Sequence, residues 1–113
     1  MRIVSTQISL AELKKMAENR FGDLVKAVID VERKIMAVDA ELHSDEEALL
    51  LESGSLQKNL WGINIYPEFH DKNRIEFDSI INIRPSQANR SRNVDDPEMR
   101  KNIIEIVRDL IKE

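Results

Sequence analysis

Residues 74–92 read RIEFDSIINIRPSQANRSR, and the fold turns on how this stretch is understood. Ile75, Phe77, Ile81 and Ile83 recur with period two, while Glu76, Asp78, Asn82 and Arg84 take the opposite phase. That alternation predicts a β-strand with one buried face. Pro85 ends it, and the polar segment beyond carries no apolar residue larger than Ala88 until Val94. A strand running into an arginine-bearing loop is therefore expected.

The neighbouring segments extend the pattern. Asn59 to Tyr66, NLWGINIY, is a second strand with Trp61, Ile63 and Ile65 in phase, stopped by Pro67. Leu24 to Val38 reads as one long strand, because Val25, Ala27, Ile29, Val31, Ile35 and Ala37 share a phase and β-branched residues abound. Glu41 to Ser53 starts acidic, ends apolar and is taken as the strand between, closed by the Gly54-Ser55 turn. Arg2 to Ile8 is short and extended, an edge strand at most.

Two helices flank these strands. Ser9, three residues before Glu12, forms a capping box for a helix bearing Leu10, Leu13, Met16, Ala17 and Phe21 on one face and stopping at Gly22. Asp95 or Asp96 caps the last helix, Pro97 occupies its first turn, and Met99, Ile103, Ile106, Val107, Leu110 and Ile111 make its apolar stripe. The expected fold is α+β. It is a four-stranded antiparallel meander with an N-terminal and a C-terminal helix packed on one face, within a single domain of residues 1–113.

Composition narrows the function classes. The 113 residues are 42% apolar and 34% charged, a globular balance. A net charge of −4 argues against a surface built wholly to grip nucleic acid, and any such affinity would need a local patch. Without cysteine there is no disulfide framework, thiolate zinc site or cysteine nucleophile. No apolar run is longer than Ala48 to Leu51, far short of a membrane span, and MRIVSTQ lacks a signal-peptide core, so a cytoplasmic location is expected.

The candidate chemistry lies in three places. Arg84, Gln87, Asn89, Arg90 and Arg92 put three guanidiniums beside amide and hydroxyl donors, a set suited to phosphate or carboxylate recognition. The competing reading is a loop held down by ion pairs. Strand phase places Asn64 and Tyr66 on the open face with Glu76 and Asp78, where they would supply polar contacts. Asp45, Glu47 and Asp78 are the candidate metal ligands, with His43 and Glu46 nearby, although a solvated acidic face explains the same residues. Along the sheet, the acids at 45–47 and the arginine loop fall about 17 Å apart, at opposite ends.

Other patterns carry less. Glu32-Arg33-Lys34 echoes one end of a metal-dependent nuclease signature, but neither Asp23 nor Asp30 supplies the upstream aspartate from a separate strand. His70 is expected to be exposed. Trp61, on the covered face, needs a partner for its indole N–H. No cofactor is implied.

The strings FGDLVKAVIDVE, ELHSDEEALLLESGS, LWGINIYP and IEFDSIINIRPSQANRSR span nearly the whole chain, and through them it resembles a small prokaryotic family of uncharacterised proteins, a domain of unknown function. The resemblance implies a standalone cytoplasmic domain and carries no activity, substrate or catalytic residue. One departure is Asp39-Ala40, where the family favours glycines, which leaves the tightness of that turn open.

The leading expectation is a non-enzymatic binding or interaction domain forming a homodimer through a partly apolar open face that includes Leu49, Leu51, Leu60 and Ile80. The alternative is a phosphate-, nucleotide- or RNA-binding protein or enzyme that uses the 84–92 loop.

Overall fold

The computed structural model describes residues 1–113, except the side chain of Asp71. The strands are β1 (Arg2–Val4), β2 (Ile8–Ser9), β3 (Val25–Asp30), β4 (Ile35–Val38), β5 (Leu60–Ile65), β6 (Ile75–Glu76) and β7 (Ile111–Lys112). The helices are α1 (Leu10–Asn19), α2 (His43–Glu52) and α3 (Pro97–Leu110). The fold is α+β. Its main sheet has five antiparallel strands in the order β1-β4-β3-β5-β6, and β2 and β7 form a small parallel pair.

Both terminal helices begin where the sequence places them. The Ser9 side chain accepts from the Glu12 N–H and opens α1. Gly22, at φ 96°, donates to the Ala17 carbonyl and closes it, a conformation that glycine alone adopts without a Cβ penalty. The Asp96 carboxylate caps α3 at the Glu98 N–H. Phe21 departs from its expected place on the α1 face, since it is exposed with the Lys26 ammonium 5.2 Å from its ring.

The expected long strand at 24–38 is instead a hairpin. Asp30 makes the break: its buried carboxylate accepts from the Glu32 and Arg33 N–H groups, and its carbonyl from Lys34, which sits at φ 57°. Such a local side-chain turn outcompetes continued ladder pairing. The four-residue turn also changes the phase. Val25, Ala27 and Ile29 share a face with Met36 and Val38, while Ile35 and Ala37 turn to the other side with Val28. A tight turn does follow β4, with Asp39 at φ 71°.

Residues 41–53 correct the expectation most. They form α2 and not a strand. The segment has no β-branched residue, Asp45 and Glu46 complement the positive end of the helix dipole, and Ala48 to Leu51 are strong helix formers. Gly54 at φ 109° completes a Schellman stop, with Ser55 N–H bonded to the Leu50 carbonyl and Gly54 N–H to Leu51.

With α2 displaced from the sheet, β3 becomes the central strand, paired to β4 on one side and β5 on the other. Both faces of the sheet are covered. Leu13 and Ala17 of α1, with Ile103, Ile106, Val107 and Leu110 of α3, pack on Ala27, Ile29, Met36, Val38, Trp61, Ile63 and Ile65. On the back, Leu50 of α2 packs with Val28, Ile35, Ala37 and Leu60, joined by Ile3, Leu49 and Ile81. The open charged face expected from the meander is therefore the bed of α2.

The opening stretch is a strand only at Ile75–Glu76. Ile75 and Phe77 join the front core as their phase requires, but Ile81 packs on the back, and Ile80 and Ile83 are exposed. Residues 80–82 and 85–87 are single turns of 3₁₀ helix.

Candidate functional site

The segment from Ser79 to Asp95 is pinned by its own amides. The Asn82 side chain donates to the Gly62 carbonyl at 2.9 Å and accepts from the Gly62 N–H at 2.8 Å, so it occupies the β5 edge where β6 has ended. The buried Asn89 Nδ2 donates to the carbonyls of Asn82, Ser91 and Asn93, and its Oδ1 accepts from the Asp95 N–H. Backbone bonds between Arg84 and Asn89 close the loop, with Pro85 presetting φ and Ala88 in the left-handed region at φ 60°.

This scaffold disposes of the arginines separately. Arg84 is turned inward: its guanidinium donates to the carbonyls of Gln57 and Leu60 and lies over the Trp61 ring, 4.1 Å from the centroid. Desolvation pushes its pKa down, and the nearby Glu47 carboxylate works against that shift. Arg92 donates to Asp78 at 2.6 Å. Arg90 is exposed, and only its backbone N–H is engaged, by Asp95. Gln87 gives its amide to the Lys58 carbonyl. The loop thus directs one of its three guanidiniums freely to solvent among the described residues.

The expectation that acids and arginines lie at opposite ends is corrected by the same contacts. Glu47, one of the acids at 45–47, acts on Arg84 because α2 crosses the back of the sheet where a second strand was expected. The three candidate metal ligands diverge. Asp45 lines a groove with Met1 and Arg20, Glu47 faces Arg84, and Asp78 faces Arg92. The described residues contain no group of three His, Cys, Asp or Glu side chains placed to hold a metal ion.

Asn64 and Tyr66 do come together. Asn64 Nδ2 and the Tyr66 hydroxyl both donate to Glu76 Oε1, at 2.8 and 3.2 Å, and Tyr66 stacks on Phe69. His43 enters the back of the sheet from the start of α2 and donates Nε2–H to the Ile63 carbonyl at 2.7 Å. Burial lowers its pKa, so the ring is neutral at pH 7.

What sequence reading does not reveal is the burial of Glu46. It is fully buried, accepts from the Ala40 N–H at 3.2 Å, and is pushed up to about 9 chiefly by desolvation. Its signal was present in the spacing. On a helix, His43, Glu46 and Leu50 share one face, which a strand assignment scatters.

Compared with known proteins, the chain matches the family described as protein of unknown function, DUF5674, over residues 2–110. The chain belongs to this family. No curated protein and no solved structure matches it. Among the described residues, no helix of this DUF5674 domain is long and apolar enough to cross a membrane.

Proposed function

We propose that this DUF5674 domain is a non-enzymatic interaction domain that associates with a second copy of itself through an aliphatic strip on its back. The observation that carries this reading is the exposure of Leu51 (40%), Leu56 (58%), Ile80 (68%) and Ile83 (44%) on segments that border one another. Leu51 lies one helical turn beyond Glu47, on the flank of α2 that faces Arg84. Ile83 adjoins Arg84, and Arg84 donates to Gln57 beside Leu56. Leu49 and Leu60, which sequence phase assigned to such a face, belong to the back core instead.

A contiguous apolar patch on a small domain is characteristic of an association surface. A phosphate-bearing ligand at the 84–92 loop would instead have Arg90 available, with Arg92 only after the Asp78 pair opens.

Sedimentation velocity over a concentration series tests the proposal. The expected result is a concentration-dependent species of twice the chain mass, lost in Ile80→Glu and Leu56→Glu variants that keep the wild-type thermal midpoint. A strict monomer at the highest concentrations would overturn it.

A further inference from the structure

We propose that the pocket between β6 and the C-terminal half of α3 binds a small amphipathic carboxylate, its apolar body on an aliphatic floor and its head between Arg74 and Arg108. This site is remote from the aliphatic strip and independent of self-association. Ile75, Ile104, Val107 and Ile111 line a cavity of about 220 Å³, and Arg74 and Arg108 line it with them. That volume is below the usual range for drug-sized ligands, roughly 300–1,000 Å³, which suits a short chain or a single ring.

Glu113 shows where a carboxylate sits. Its Oε1 accepts from Arg74 at 3.0 Å, while Arg74 Nε donates to the Phe69 carbonyl and is thereby fixed in orientation. The Arg74 side chain is 11% exposed and the Glu113 side chain 64%. The guanidinium belongs to the wall, and its partner is a solvent-facing side chain that a competing carboxylate can replace. Arg108 stands on the pocket wall and is exposed.

The charge balance decides the class of ligand. Arg74 holds the Glu113 side chain and Arg108 adds a second positive charge to the wall, against the negative end of the α3 dipole, equivalent to roughly half a charge. Displacing or neutralising the Glu113 side chain makes the pocket one charge more positive. Aliphatic walls exclude a bare inorganic ion as the best occupant, because they would be left in contact with water. His70 completes the rim.

The test is a ¹H–¹⁵N NMR titration of the full chain with octanoate, using octylamine as the opposite-charge control. Saturable shifts at Ile75, Ile104, Arg108 and Ile111 are expected with octanoate and not with octylamine. Arg108→Ala should weaken octanoate about threefold, and Glu113→Gln should strengthen it by about the same factor by removing the competitor. Both positions are exposed, so neither variant threatens the fold. Absence of saturation, equal response to octylamine, or an affinity unchanged in Glu113→Gln would each overturn the proposal.

Discussion

The Asn82 side chain bonds both backbone groups of Gly62, at 2.8 and 2.9 Å, and so acts as a one-residue strand on the edge of β5. The approach is close because Gly62 has no side chain. A Cβ placed there would lie 2.6 Å from the Ser79 Cβ. The glycine in NLWGINIY and the asparagine-bearing turn at 80–82 are therefore two halves of one joint.

Breaking that joint should be costly from either side. Asn82→Leu leaves a buried N–H and C=O without partners, each worth about 1–3 kcal/mol. Gly62→Ala forces Ser79 away, at about 1–3 kcal/mol for overpacking. Urea unfolding of both variants should show unfolding free energies lowered by these amounts. A Gly62→Ala protein as stable as wild type would mean that the 79–82 turn does not seat on β5.

Arg84 is predicted to be a structural residue whose fork geometry matters more than its charge. Lysine cannot reach the Gln57 and Leu60 carbonyls together or stack its head flat on Trp61. Arg84→Lys should therefore lose about 1.5–3 kcal/mol, the scale of charge-assisted hydrogen bonds. Denaturant titration followed by Trp61 fluorescence reads both the stability and the loss of the stacked cation. Wild-type stability in Arg84→Lys would contradict the assignment.

Glu46 gives the domain a pH dependence of unusual sign. Its pKa rises from an ordinary value of 4.5 to about 9 on folding. The native state then binds more protons than the unfolded state between those values, so stability falls as pH rises across that window, by up to about 1.4 kcal/mol per unit. Glu46→Gln should abolish this slope and raise the melting temperature at pH 8. His43, whose pKa burial lowers, works in the opposite direction, with its contribution lost as pH falls below its ordinary 6.5. Melting curves of Glu46→Gln should accordingly decline only on the acid side. A wild-type melting temperature that is flat from pH 6 to pH 9 would show that Glu46 is not held neutral.

Local signals proved sufficient wherever one element was decided by its own residues. Ser9, Gly22, Asp96 and Pro97 bound α1 and α3 because caps act within a turn or two of chain. The phase of Trp61, Ile63 and Ile65 held because β5 is straight and unbroken. Residues 24–38 failed for an equally local reason: Asp30 offers its carboxylate to the next N–H groups, a competition that a count of β-branched residues does not register. At 41–53 a strand would suit the meander, but the segment has no β-branched residue and its helix formers decide for α2. Once α2 was taken for a strand, the open face, the separation of acids from arginines and the exposure of Glu46 were all misplaced.

The loop at 84–92 shows a different limit. Its composition correctly marks it as polar and hydrogen-bonded, and the ion-pair reading captures Arg92 with Asp78. Nothing local says that Arg84 turns under the chain to two carbonyls while Arg90 stays in solvent, because the acceptors lie more than twenty residues away.

The sequence by itself determined the domain's class, its terminal helices, the central phase of β5 and its affiliation, since capping, periodicity and composition are short-range properties of the chain. Tertiary structure alone decided which side of the sheet α2 covers, which guanidiniums remain free, and where β6 gives way to Asn82. Those outcomes depend on long-range competition for a few backbone acceptors and one sheet edge, and the winner is set by what the rest of the fold brings within hydrogen-bonding distance.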